Sequence, residues 1–125
     1  MAETRVKVTR IRMVGRRWKT EFLEDFMELL KITFGGETLV RLNSFLTPQR
    51  RFPLTDFDVF KEADEETIKK LRDEIEKLLE EHGYNPRRLL TIKIVTTTLT
   101  ARETALEATR EDVGTSEERE EAEKA

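Results

Sequence analysis

The sequence predicts one small α+β domain. Four stretches have the alternating pattern of β-strands, and two stretches between them have the three- and four-residue spacing of amphipathic helices. The chain has 125 residues, which suits a single domain of the usual ~100–150 residues. It contains no cysteine, so disulfides and thiolate metal sites are excluded.

The first strand is predicted over residues 5–14, where apolar and polar residues alternate. Val6 and Val8 share one face of this strand, whereas Ile11 and Met13 share the other. The change of phase predicts either a β-bulge or a strand that is buried on both faces.

Two helices follow from their apolar stripes and their end signals. The first is predicted over residues 20–34, with Thr20 as the N-cap. The second is predicted over residues 64–82, with Asp64 as the N-cap and Gly83 just past the end. Three Glu/Asp–Lys pairs at four-residue spacing further stabilise the second helix.

The remaining strands are predicted over residues 37–46, 52–60 and 89–99. Pro53 restricts the start of the third strand to a sheet edge or a loop. In the last strand, three apolar residues are expected on one face: Leu90, Ile92 and Ile94.

The order β-α-β-β-α-β is that of the ferredoxin-like split βαβ sandwich, with one antiparallel sheet and two helices. A capping box at residues 100–103 predicts a short C-terminal helix to about Asp112. An acidic tail, expected to be disordered, follows it. We therefore divide the chain into an α+β domain, residues 1–102, and a segment with the short helix and the acidic tail, residues 103–125.

Charge is abundant and unevenly distributed. Charged residues make up 39% of the chain, yet its formal net charge is only −3. Residues 103–125 hold nine acids and three bases, so the preceding domain is net basic. Low net charge argues against a disordered chain. High Glu, Lys and Arg with little Asn or Gln is a thermophilic trend. The sequence shows neither a signal peptide nor a membrane span, so we expect a cytoplasmic protein.

The predicted topology brings three basic loops to one end of the domain. Each loop carries a basic pair beside an aromatic residue. The candidate nucleic-acid-binding residues are Arg16, Arg17, Trp18, Lys19, Arg50, Arg51, Phe52, Tyr84, Arg87 and Arg88. Basic side chains neutralise phosphates, and aromatic rings stack on unpaired bases. The pattern favours binding of single-stranded DNA or RNA over binding to a duplex groove.

Other interpretations of the same residues stay open. Arginine pairs at loop ends are often solvated charge, and Trp18 before a helix also suits a hydrophobic staple. Phe52 and Tyr84 also suit core positions with one wet edge. The motif of the RNA-recognition module is not found, because the first strand has no aromatic residue.

The signals for chemistry are weaker. Asp56 and Asp58 lie on one strand face and offer oxygen ligands for Mg²⁺, but no third ligand follows at a defined spacing. A solvated strand face is the alternative. His82 is the only histidine and suits the last turn of a helix. The sequence therefore predicts a protein that is not an enzyme, with no catalytic residue, metal site or cofactor.

Self-association is the last expectation. Two helices cover one face of a four-stranded sheet, and strands one and four carry apolar residues on both faces. Because monomers seldom leave large apolar patches open, we expect a homodimer. The alternative to nucleic-acid binding is thus a self-associating structural or adaptor protein with a protein partner.

Overall fold

The structure, a computed structural model, describes residues 4–99. Within this range the chain forms four strands and two α-helices, with one turn of 3-10 helix before the last strand. The elements are β1 (Thr4–Val14), α1 (Thr20–Phe34), β2 (Val40–Phe45), β3 (Leu54–Val59), α2 (Glu65–Glu81), the 3-10 turn (Pro86–Arg88) and β4 (Leu89–Leu99). The predicted α+β class is confirmed. The predicted C-terminal helix, the acidic tail and the boundary at residue 102 lie outside the described residues.

The four described strands form one antiparallel sheet in the order β2-β3-β1-β4. Ile11 of β1 lies opposite Phe57 of β3 on one side and Ile92 of β4 on the other. Directly opposed residues in antiparallel strands share a face, so these three side chains point the same way.

Both helices pack on the face that carries Ile11. The core forms here because the apolar stripe of each helix meets the apolar row of each strand. Phe22 and Phe26 of α1 and Ile75 of α2 are fully buried in it. The Phe26 ring meets Phe57 of the sheet edge to face, with 4.5 Å between the ring centroids.

The ends of the helices are held differently from one another. Asp64 accepts a hydrogen bond of 2.8 Å from the Thr67 N–H, so the predicted cap of α2 is confirmed. In α1 the cap position is Lys19, and Thr20 is the first helical residue. The prediction of Thr20 as N-cap was therefore wrong by one residue. The helix begins one residue earlier than predicted because Lys19 is held at the cap position by its N–H bond to the Tyr84 hydroxyl.

A β-bulge corrects the predicted pattern of β4. Arg12 pairs with Thr91, but the next residue, Met13, pairs with Leu89. The skipped residue is Leu90, so Leu89 rather than Leu90 is buried in the core with Ile92. A simple alternating pattern does not reveal where a β-bulge inserts an extra residue into the strand.

The other face of the sheet, which we call the helix-free face, carries buried charge. Asp56 and Asp58 of β3 have only 4% and 2% of their surface exposed. Arg12 makes two hydrogen bonds to Asp56 (2.7 and 2.8 Å), and Arg10 makes two to Asp58 (2.8 and 3.0 Å). The expectation of a solvated strand face was therefore wrong. The hydrogen bonds to Asp58 and Asp56 raise the pKa of Arg10 and Arg12, respectively.

The sheet is strongly bent at one end. The Nη2 of Arg41, on the edge strand β2, donates a hydrogen bond of 2.9 Å to the Thr97 hydroxyl on the opposite edge strand, β4. These strands are roughly 14 Å apart in a flat sheet, which is too far for one side chain. The ends of β1 and β4 therefore curl over the helix-free face.

β1 is buried on both faces, as one of its two predicted forms requires. Val8 and Ile11 lie on opposite faces, and both are fully buried in the single chain. Val8 is one of the residues from which an apolar dimer surface was expected. The homodimer stays a prediction, but Val8 does not contribute exposed apolar surface to it.

Candidate nucleic-acid interface

Three loops meet at one end of the domain. We call them the loop rim: residues 15–19, 46–53 and 82–88. The Gly15 N–H donates to the Pro53 carbonyl at 2.8 Å, which joins the first loop to the second. The Lys19 N–H donates to the Tyr84 hydroxyl at 2.9 Å, which joins the first loop to the third. These contacts hold the three loops, which together carry seven bases, at one end of the domain.

Gly15 is the tightest point of the rim. Its φ of 124° is a conformation that favours glycine. A Cβ atom there would lie 2.7 Å from Nη1 of Arg88 and 3.1 Å from the Trp18 ring. The Gly15 carbonyl also accepts a hydrogen bond from the Thr55 hydroxyl. Absence of a side chain at Gly15 therefore lets the first and third loops pack closely.

Trp18 belongs to the core and not to the exposed surface of the rim. Only 8% of its surface is exposed, and its indole N–H donates to the Thr55 hydroxyl at 3.2 Å. Its ring stacks on Phe22, with 5.1 Å between centroids and 26° between planes. This burial leaves little of the ring accessible to a base, and it agrees with the staple interpretation.

Tyr84 and Arg88 extend this packed cluster outward. The Arg88 guanidinium lies 4.9 Å from the Tyr84 ring centroid and 5.4 Å from that of Trp18. Tyr84 is half-buried and meets Trp18 edge to face at 5.1 Å. Both side chains therefore support the rim, and the Arg88 charge is fixed in place over two rings.

Two more bases of the rim differ in how they are held, and only Lys19 is anchored by a hydrogen bond. Lys19 donates from Nζ to the His82 carbonyl at 2.9 Å. His82, at the C-cap of α2, contacts an Asp25 carboxylate oxygen through Nε2 at 2.8 Å. Arg16 is half-buried, and its Nε is buried without a hydrogen-bond partner among the described residues.

The exposed part of the rim is smaller than the predicted set. Six of the predicted residues are exposed, and apart from the anchored Lys19 they are Arg17, Arg50, Arg51, Phe52 and Arg87. Phe52 is 63% exposed and directly follows Arg50 and Arg51 in the β2–β3 loop. No acidic residue occurs in the three loops of the rim. The result is an accessible aromatic ring in a loop that carries two bases and no acid.

Sequence reasoning missed one residue of the rim, Leu46, and one β3 residue that packs beneath the rim, Thr55. Leu46 begins the β2–β3 loop and is 65% exposed, so the loop has an apolar residue at each end. Thr55 is fully buried and contacts Trp18, Gly15 and the Ser44 hydroxyl. Leu46 could have been noticed from the sequence, because it is an apolar residue at the end of the predicted second strand. The sequence gives no comparable signal for Thr55, because a strand threonine has no fixed partner.

A cleft of about 540 Å³ lies at the opposite end, between the C-terminus of α1 and the β3–α2 connection. Lys61 lines it and donates from Nζ to the Phe34 carbonyl at 2.8 Å. This bond satisfies a backbone acceptor that the end of α1 leaves free. The cleft is thus separate from the loop rim.

No family model matches this chain, and comparisons with curated proteins and with solved structures found no match either. Among residues 4–99 no helix is long and apolar enough to cross a membrane. The described residues also contain no group of three or more His, Cys, Asp or Glu side chains placed to hold a metal ion.

Proposed function

We propose that this chain binds single-stranded DNA or RNA through the exposed part of the loop rim, without a catalytic step. The observation that carries the proposal is Phe52, an exposed ring that follows two exposed arginines. A ring of this kind stacks on an unpaired base, and the neighbouring guanidinium groups contact the phosphates on either side of it.

The anchored basic side chains add positive charge to this surface, and they keep their conformations when the ligand binds. Lys19 and Arg88 are held by contacts within the protein, so little side-chain freedom is lost when a phosphate approaches them. Trp18 and Tyr84 then act as supports that set the positions of these cations. The proposed ligand-contacting set is Arg17, Arg50, Arg51, Phe52 and Arg87, and the fixed charges of Lys19 and Arg88 lie beside it.

The fold assignment that accompanies this proposal is the ferredoxin-like split βαβ sandwich. The strand order β2-β3-β1-β4 and the two helices on one face support it. In this arrangement the loops after β1, β2 and α2 share one end of the sheet. The same topology that orders the core therefore gathers the basic loops.

Titration of a labelled single-stranded oligonucleotide, followed by fluorescence anisotropy, tests the proposal. We expect Arg50→Gln/Arg51→Gln to weaken binding by roughly ten-fold or more at about 0.1 M salt, because two phosphate contacts are lost. The slope of log affinity against log salt should fall in magnitude by about 1.4. The matched control is Lys69→Gln/Lys70→Gln, which removes two exposed charges from α2. Equal losses in both variants would contradict the proposal.

A protein partner is the second candidate, and one observation favours it. Leu46 and Phe52 place two exposed apolar side chains at the ends of one loop. A contact of this kind buries apolar surface and tolerates salt, unlike phosphate binding. If the chain does not bind the oligonucleotide at low salt, that result would favour this adaptor function instead.

A further inference from the structure

We propose that two copies of this chain pair through the outer edge of β4, so that their sheets join into one sheet of eight strands. The two β4 strands run antiparallel, with Ile94 of one copy opposite Ile94 of the other. Three features of β4 carry the proposal: its place in the sheet, its composition and the symmetry of its open part. The proposal does not depend on the loop rim or its ligand.

β4 is a long edge strand. It has 11 residues, about twice the length of a typical strand of five or six residues. It pairs with β1 on one side, and among residues 4–99 no strand pairs with its other side. An edge of this kind presents a row of backbone N–H and C=O groups to which a further strand can bind.

The composition of β4 does little to prevent such pairing. Proteins commonly protect an edge strand with proline, with several charged side chains or by keeping it short. β4 contains neither proline nor glycine, and Lys93 is its only charged residue. Every other residue from 91 to 97 is β-branched, a type that is favoured in strands. The edge thus has the composition of a strand with neighbours on both sides.

The open part of the edge is bounded at both ends. Near its start, Leu90 is the extra residue of the β-bulge, which interrupts the regular strand. Near its end, the Thr98 carbonyl accepts a hydrogen bond of 3.5 Å from Nη1 of Arg41. Between them, the backbone of Thr91–Thr97 is regular and makes no such side-chain contact within the described part of the chain. The central residue of this segment is Ile94.

This segment is complementary to itself when Ile94 lies on a two-fold axis. The opposed pairs are then Thr91–Thr97, Ile92–Thr96, Lys93–Val95 and Ile94–Ile94. Pairs of threonines and pairs of β-branched side chains suit directly opposed positions, whereas like charges there are destabilising. A register centred on Lys93 would place two lysines opposite each other. A register centred on Val95 would use Thr98, whose carbonyl Arg41 already contacts.

The edge differs from the surface on which the sequence pattern suggested a dimer. On the helix-free face, Arg10 and Arg12 bind buried aspartates, and Val8 is already fully buried in the single chain. By contrast, Ile94 at the edge is only half-buried. A second copy would cover it further and would also bind the outward backbone groups of the strand.

Sedimentation equilibrium of the full chain tests whether the dimer forms. Tight interfaces bury about 1,200–2,000 Å², which is more than two short strand segments provide, so we expect a weak dimer. The average mass should rise from 14.7 kDa toward twice that value between about 10 μM and about 1 mM chain. A mass that stays at 14.7 kDa over this range would overturn the proposal. No oligonucleotide is present, so the result is separate from that of the nucleic-acid proposal.

Opposite charges at one position test the register. Val95 of each copy lies opposite Lys93 of the other, so the contact occurs twice in a dimer. Val95→Glu should lower the dissociation constant of the dimer and Val95→Lys should raise it, each by about 2- to 30-fold. An effect on folding alone would shift the constant in the same direction in both variants. Equal constants for the two variants would contradict this register.

A cysteine on the two-fold axis tests the register independently, since the chain has no cysteine of its own. Ile94→Cys should give a disulfide-linked dimer in a glutathione buffer, because directly opposed residues have Cα atoms about 4.5–5.5 Å apart, within disulfide reach. Thr96→Cys is the matched control, because its two copies would lie four residues apart, about 14 Å. Asn43→Cys, exposed on β2, reports pairing through the other edge strand. Yields for either control as high as for Ile94→Cys would overturn the proposal.

Discussion

The Arg88 guanidinium lies over the Trp18 ring, 5.4 Å from its centroid, where the first and third loops of the rim meet. Both residues were predicted to contact nucleic acid, yet they contact each other. The pairing leaves Trp18 in the core and fixes the Arg88 charge at the rim. It divides the rim into a supporting set and an exposed set, and the predictions below follow this division.

Trp18 should matter for stability and not for ligand affinity. Trp18→Phe keeps the stack on Phe22 but removes the hydrogen bond to Thr55 and part of the buried area. We expect a loss of about 1–3 kcal/mol in the free energy of unfolding, measured in urea. Oligonucleotide affinity should stay within about two-fold at a temperature where the variant is folded. A large loss of affinity in a stable variant would show that the ring itself contacts the ligand.

Phe52 should show the opposite behaviour. Its side chain is mostly exposed, so Phe52→Ala should change the free energy of unfolding by less than about 0.5 kcal/mol. Base–aromatic stacking contributes about 1–3 kcal/mol, so its loss should weaken binding by about 5- to 150-fold.

Two variants separate stacking from general apolar contact. Ile32→Ala removes another exposed apolar side chain, at the far end of α1, and should bind normally. Phe52→Leu keeps an apolar side chain but removes the ring, so it should bind as weakly as Phe52→Ala. Full binding by Phe52→Leu would argue for a protein contact at this position.

The buried carboxylates of the helix-free face should be important for stability. Asp58 accepts hydrogen bonds from Arg10 and from Arg41, and Asn cannot replace both charged acceptor oxygens. We expect Asp58→Asn to cost on the order of 3 kcal/mol in unfolding free energy, because a partly buried guanidinium loses its partner. Asp73→Asn on exposed α2 should cost less than about 0.5 kcal/mol. Similar unfolding midpoints in urea for the two variants would contradict this role.

The cap of α2 should make part of the stability depend on pH. Hydrogen bonds from Thr67 lower the pKa of Asp64 below its ordinary value of 3.8. A lowered pKa in the folded state stabilises the protein above pH 3.8, and this contribution disappears as the pH falls through the lower folded value. The melting temperature of Asp64→Ala should therefore lie below that of the wild type at pH 7, and the gap should narrow in acid.

Asp64→Asn is the matched control for this pH effect. Asparagine caps a helix about as well as aspartate but does not titrate. Its melting temperature should follow the wild type near pH 7 and should not lose the cap contribution in acid. A gap between the wild type and Asp64→Ala that is the same at pH 7 and in acid would rule out titration of the cap.

The order of the strands and helices was predictable because it depends on local patterns. The stripe of α2 and its Asp64 cap lie within 18 consecutive residues, as the structure confirms. The Leu90 bulge was not predictable, since it depends on how β4 pairs with β1. Local alternation contains no information about that pairing.

The rim was predictable in composition but not in exposure. The order of strands and helices alone predicts that residues 15–19 and residues 82–88 lie at the same end of the sheet. Whether an aromatic residue in these loops faces the core or the solvent depends on its long-range partners. Trp18 finds Thr55 and Phe22, whereas Phe52 remains exposed. Likewise, the strand pattern placed Asp56 and Asp58 on one face, but it could not show that arginines of β1 cover them.

The most direct test of the central claim is a map of ligand contact by NMR. Isotope-labelled chain is titrated with a single-stranded oligonucleotide, and amide shifts are followed along the sequence. The account predicts that the largest changes occur at Arg17, at residues 50–52 and at Arg87, and that they diminish as salt is added. Changes centred on Arg10 and Lys93 of the helix-free face, or no changes at low salt, would contradict it.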